Sequence, residues 1–209
     1  MNKKENNVKV SVSLLVKLLV AVNVIVFIIT KASGDTSDPN YLFTCGGNYW
    51  ASIFNGGEYY RLITSMFLHA GWIHLIMNMV FLLIFGTYTV KAVGNFGFVA
   101  IYFSSGILAG LISAYVNMSN NYMVVSVGAS GAILGLIGAV GIIYLLATKD
   151  KTLLIGAIIY PILSYATGID VMAHIGGLLG GLVISILFIK RIKANKDKIL
   201  QFISDVEKA

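Results

Sequence analysis

The sequence predicts an all-α, polytopic membrane protein built from six transmembrane helices, and three observations carry that prediction. Hydrophobic residues form 57% of the 209-residue chain and DEKR only 11%, with a mean hydropathy of +0.85. A soluble domain carries roughly a quarter charged residues, so this chain cannot clothe a water-facing surface. Apolar runs near the ~20 residues that span a bilayer recur six times. The cations gather at one set of ends of those runs. A soluble enzyme, a disordered tail and a nucleic-acid-binding domain are excluded on composition. The pI near 9.3 then reads as membrane topology, because Lys and Arg concentrate on the cytoplasmic side. A single cysteine, Cys45, leaves no internal disulfide to form.

The six runs cover residues 10–30, 74–90, 96–116, 130–148, 152–167 and 171–189. The fifth is short and contains Pro161, so a kinked or mobile helix is expected there. Between the first two runs lies a long polar stretch, 31–71, with Pro39 and Gly46-Gly47. Its end, from Tyr59-Tyr60-Arg61 to Phe67-Leu68, reads as interfacial, and a loop of this length is expected to be functional. The organisation expected is a cytoplasmic N-terminus (1–9), a six-helix membrane domain (10–190) and a basic cytoplasmic C-terminal tail (191–209). No soluble second domain or internal repeat is read.

Charge placement sets the expected orientation. Lys3, Lys4 and Lys9 precede the first run, Lys149 and Lys151 separate the fourth from the fifth, and Lys190, Arg191, Lys193, Lys196 and Lys198 follow the sixth. The opposite loops hold Asp35, Asp38, Glu58 and Asp170 against Lys31 and Arg61. Both termini are therefore expected in the cytoplasm. Reading the first run as a cleaved signal peptide is disfavoured, because it is longer than an h-region and lacks a clear Ala-x-Ala end. In this orientation the second, fourth and sixth helices all begin at the outer face.

Polar groups at membrane depth are costly and mark functional sites by default. His74 opens the second run with Asn78 one turn later, Ser130 opens the fourth within Gly128-Ala129-Ser130-Gly131, and His174 opens the sixth. Ser130 lies 19 residues before Lys149, His174 16 before Lys190 and His74 17 before Lys91. At ~1.5 Å per residue these are rises of about 28, 24 and 26 Å, so the three groups share one depth beneath the outer boundary. Glycines supply a means of contact. Gly131, Gly135 and Gly138 form a stripe on the fourth helix, and Gly176/Gly180 and Gly177/Gly181 are GxxxG pairs on the sixth. Small residues at this spacing let helix backbones approach in lipid, which would draw His174 towards Ser130.

A serine hydroxyl needs a base to become nucleophilic, and a neutral imidazole is the usual one. Ser130 and His174 supply that pair. Donors for an oxyanion are the Ser130 backbone N–H at a helix N-terminus, the Asn78 amide and the His74 ring. Each has a plain alternative. Ser130 taken alone reads more readily as a helix N-cap, and His or Asn in a membrane helix as an interhelical hydrogen-bond partner. Asp170, four residues before His174, reads as a cap of the sixth helix over a triad member. No metal site is expected, since no His-Glu-x-x-His exists and His69 and His74, five apart, do not share a helical face. No cofactor is expected either.

These residues resemble the rhomboid intramembrane serine proteases. The resemblance rests on Gly128-Ala129-Ser130-Gly131, on Ala173-His174 followed by Gly176-Gly177, and on His69-x4-His74-x3-Asn78, and runs from about Glu58 to Leu182. It implies a six-helix rhomboid-like bundle, with Ser130 as nucleophile, His174 as general base of a dyad, and His74 and Asn78 helping to hold the oxyanion. It also implies transmembrane protein substrates, and a membrane-inserted first loop and mobile fifth helix that gate entry; small size and the absence of appended domains point to an integral plasma-membrane location. The chain departs from the pattern in three places. Tyr60-Arg61 stands where many members have Trp-Arg. Thr87-Tyr88-Thr89 follows Phe85-Gly86 where acidic residues are common. Leu134 stands one turn after the serine, where an aromatic commonly stacks on the histidine. A catalytically silent, helix-binding relative is the alternative, although such proteins typically lose the serine or the histidine. A small transporter is a second alternative, made less attractive because Lys17 is the one charge within a run.

Overall fold

A computed structural model describes residues 11–163 and 170–207. Helix α1 (Leu14–Ser33) is followed by short helices α2 (Pro39–Thr44), α3 (Trp50–Phe54) and α4 (Arg61–Thr64). Then come α5 (Trp72–Ser119), α6 (Ser130–Thr148), α7 (Thr152–Leu163), α8 (Val171–Ile186), α9 (Ile189–Ala194) and α10 (Lys196–Glu207). By length and apolar composition α1, α5 and α6 are each able to cross a membrane, and α7 and α8 are shorter apolar helices. The fold is all-α and polytopic. The expected N-terminal segment 1–9 and the end of the fifth run, 164–167, fall outside the described residues.

The second and third runs are continuous except at one residue. Gly94 has φ 77° and ψ 176° inside α5, a conformation that only glycine enters cheaply. A straight 48-residue helix would be about 72 Å long, more than twice the thickness of a hydrocarbon core. The chain instead doubles back at Gly94. A Cβ on Gly86 would lie 3.2 Å from the Phe98 ring, although twelve helical residues span about 18 Å. The Arg191 guanidinium covers Gly94, and the Asn195 amide donates to the Ala92 carbonyl at 2.9 Å.

Among the three long apolar helices, α6 is the most enveloped. Of its most apolar window, 67% is buried in α6 against 17% in α1. α6 packs against the second arm of α5, against α7 and against α8, while α1 lies on the first arm of α5 through Val16 at Gly86 and Phe27 edge-on to Trp72. The segment expected as a basic tail is folded. α9 and α10 bury Ile192, Ile199, Phe202 and Ile203, with Phe202 edge-on to Tyr88 at 4.8 Å, so their lysines project from an amphipathic cover.

The long first loop is equally well packed. Arg61 is only 5% exposed. Its guanidinium pairs with Glu58, donates to the carbonyls of Phe43 (2.8 Å) and Gly47 (3.0 Å), and lies 4.4 Å above the Phe43 ring. That salt bridge holds the Glu58 carboxyl below its ordinary range. Arginine's fork makes all four contacts at once, and the Tyr60 ring, in place of a tryptophan, lies 5.5 Å from the guanidinium carbon.

Candidate active site

The segment that delivers Ser130 is held from both sides. Asn48 and Ser126 exchange backbone hydrogen bonds of 3.0 and 2.9 Å, and the Gly128 N–H donates to the Ser65 carbonyl at 2.9 Å. The Asn48 amide also donates to the Gly110 carbonyl on α5 at 2.9 Å. Thus the first loop pins the approach to α6. Gly128 adopts φ +122°, and a Cβ there would sit 2.7 Å from His74 Nε2. Glycine is required twice over at this position, for its dihedral and for the imidazole pressed against it. Ser130 is the first residue of α6, and Ala129 holds the N-cap position without a side-chain bond. The N-cap reading of Ser130 is therefore corrected: its hydroxyl makes no cap bond, and Ala129 before it already has helical dihedrals.

The glycine pairs on α8 divide their work. Gly177 and Gly181 face α6, where an added Cβ would overlap the carbonyls of Gly131 and Gly135 respectively. Gly176 and Gly180 face α5, with a Cβ 3.0 Å from Ala109 Cα and 2.9 Å from Ser105 Cα. Backbone touches backbone along both seams. The α6–α8 contact lies one residue from Ser130 and three from His174, which is the approach the glycine spacing predicted. His174 itself is 2% exposed.

Asp170 caps α8 by accepting from the Ala173 N–H at 2.9 Å through Oδ1. Its Oδ2 accepts from the hydroxyls of Ser113 on α5 and Ser126 before α6, the latter at 2.6 Å. One carboxylate thereby ties the histidine-bearing helix to the two elements beside it. This is the capping role favoured from sequence, enlarged by two partners that the sequence did not reveal.

His74 lies in the first turn of α5, and the Asn78 amide donates to the His74 carbonyl at 2.8 Å. That bond uses one amide hydrogen and leaves the second for another acceptor. Buried His69 lies edge-on to His74, with ring centroids 5.1 Å apart. Burial, aided by the neighbouring His74 charge, pushes the His69 pKa down to about 3.

Ser130, His174, His74, Asn78, Gly128 and Gly131 all line one cavity of about 1050 Å³. Its polar end includes Asn48, Asn117 and Ser126, and its apolar end runs between the first arm of α5 (Met77, Phe81, Phe85) and α7 (Leu153, Ala157). Tyr160, from α7, stacks on His174 with centroids 6.0 Å apart and an interplanar angle of 30°. Sequence reasoning missed this ring. It sought an aromatic at position 134 and found Leu134, whereas the ring arrives from the neighbouring helix.

Comparison with known proteins agrees with this architecture. Residues 56–191 match the Rhomboid domain family. The chain is 37% identical over 146 residues to YdcA of Bacillus subtilis (strain 168), covering 65% of this chain and 70% of that protein. It is 33% identical over 202 residues to the rhomboid protease AarA of Providencia stuartii, covering 82% and 71%. Against RHOMBOID-like protein 6, mitochondrial, of Arabidopsis thaliana it is 38% identical over 152 residues, 67% of this chain but only 47% of the longer plant protein. With its glycine-seamed helices and its Rhomboid domain match over residues 56–191, this integral membrane protein belongs to the rhomboid family.

Proposed function

We propose that the chain is an intramembrane serine endopeptidase acting on transmembrane segments of other membrane proteins, with Ser130 and His174 as its dyad. The observation that carries this reading is the shared cavity: an alcohol at a helix N-terminus and a buried imidazole, on helices in backbone contact, open into one polar-ended pocket. In the reaction His174 takes the Ser130 proton as Oγ attacks a peptide carbonyl. The tetrahedral oxyanion accepts hydrogen bonds from the Ser130 N–H, from the Asn78 amide and from His74. The Ser130 N–H suits this because the first residues of a helix have no intrahelical acceptor and carry the positive end of the dipole. His174 then returns its proton to the leaving amine, and water enters from the polar end to hydrolyse the acyl-enzyme.

In this reading α1, the two arms of α5, α6, α7 and α8 make six crossings, with both termini on the cytoplasmic side of a plasma membrane. The Gly94 turn, the Lys149–Lys151 turn and the basic α9–α10 pair supply the inner end, and positive-inside logic orients them. A substrate helix would enter along the apolar end of the cavity, between α5 and α7. Its backbone bonds must open before a peptide can be cut, so small, helix-weakening residues near the scissile bond are expected to favour cleavage.

The test is cleavage of a tagged single-span substrate by the purified chain in detergent, beside Ser130→Ala and His174→Ala. Cleavage by the native chain that disappears in both variants is the expected result. Cleavage that persists in Ser130→Ala rejects the mechanism. A native chain that binds single-span helices and cuts none identifies the silent, helix-binding alternative.

A further inference from the structure

In this chain the face of the histidine base is covered from α7 rather than from the serine's own helix. The position one turn beyond Ser130 is Leu134, buried and without a π-face. Tyr160 presents its ring to the imidazole instead, nearly parallel to it. The tyrosine is 41% exposed and lines the same cavity, so it approaches His174 from the open side of the site.

Two physical effects follow from that contact. A stacked aromatic restricts rotation of the imidazole and holds its nitrogens in line with their partners. Once the imidazole has taken a proton, the negative face of the tyrosine ring attracts the resulting cation. The second effect is larger in the transition state than in the resting enzyme, and so it raises kcat rather than affinity.

α7 carries Tyr160 near its C-terminal end. Its close backbone approach to α6 lies near the other end, where a Cβ on Gly141 would be 3.0 Å from Leu154 Cα. Pro161 lacks an N–H to donate to the carbonyl four residues back, which makes bending easier at the level of Tyr160.

We infer that Tyr160 is a positioning residue for His174, so that a ring from α7 holds the base for catalysis. This inference rests on the protease reading above. The experiment measures kcat and KM on a single-span substrate in detergent, with the rate at which a fluorophosphonate probe labels Ser130, for the native chain and for Tyr160→Phe, Tyr160→Trp and Tyr160→Leu. Melting temperature in the same detergent confirms that each variant is folded. The ring-retaining variants should stay within about twofold of native kcat, and Tyr160→Leu should lose about tenfold in kcat and in labelling rate with KM changed by less than twofold. Native kcat in Tyr160→Leu, or a loss confined to KM, overturns the inference and leaves the protease reading standing. Equal losses in the phenylalanine, tryptophan and leucine variants also overturn it, because they would place the function in the hydroxyl. A native chain that neither labels nor cleaves removes the protease reading and this inference together.

Discussion

Gly177→Ala is the most economical probe of the seam that joins the two groups of the proposed dyad. A Cβ at Gly177 would stand 3.0 Å from Gly131 Cα and closer still to its carbonyl. Unstrained carbon contacts lie at ~3.5–4.0 Å, so α6 and α8 must part by about 1 Å. Neither side of the clash is a flexible side chain that could turn away. Ser130 is one residue from this contact and His174 three, so the displacement passes almost undiminished to the dyad. A hydrogen bond has a working range of ~2.7–3.2 Å, and a further 1 Å removes it. Misplacement of that size costs about 100-fold in rate, or about 2.7 kcal/mol of transition-state stabilisation. Overpacking should also cost about 1–3 kcal/mol of stability. Substrate cleavage in detergent reads the first effect, and thermal melting reads the second. Gly156→Ala is the stability control, because a Cβ there meets nothing within 4 Å, and it should melt no lower than the native chain. A Gly177→Ala chain with native melting and native kcat/KM would show slack between the helices and refute the argument.

Three further outcomes are expected. Asp170→Ala removes the α8 cap and strands the Ser113 and Ser126 hydroxyls, so the protein should lose about 2–3 kcal/mol and kcat should fall; Asp170→Asn, which keeps an acceptor for Ala173, should lose less, and equal melting of the two would contradict the capping role. Arg61→Ala leaves the Phe43 and Gly47 carbonyls without their donor and should cost about 2–4 kcal/mol, whereas Tyr60→Ala, at an exposed ring, should cost under about 1 kcal/mol; the order of their melting temperatures is the check. His69 has a folded pKa of about 3 against 6.5 when free, so between those values the unfolded chain binds the extra proton. Stability should be complete above pH 6.5 and fall by up to about 1.4 kcal/mol per unit on acidification towards pH 3, and His69→Gln should flatten melting curves recorded over that window.

Rate and stability are separable in these tests because the site is assembled from distant parts. The seam at Gly177, the clamp at Asp170 and the buried Arg61 act on geometry. In the proposed mechanism Ser130 and His174 act on bonds. A variant of the first kind should retain some activity in proportion to how far the helices move, whereas one of the second kind should retain none.

Much of this was legible in the sequence because lipid imposes simple rules. Apolar runs must be long enough to cross, backbone groups must be bonded within a helix, and polar residues at depth need a reason. Those rules located Ser130, His174, His74 and Asn78 at one level, and the glycine spacing named the helices that would touch. Tertiary structure decided what depends on partners remote in the chain. It assigned Gly177/Gly181 to α6 and Gly176/Gly180 to α5, a choice that two overlapping GxxxG pairs leave open. It reduced the link between the second and third runs to the single residue Gly94, gave Asp170 two serine partners 57 and 44 residues away, and folded the basic C-terminal segment onto α5 and α6. It also brought Tyr160 to His174 across a helix boundary. Periodicity reports which face of a helix is apolar or small, and only packing determines which neighbour fills it.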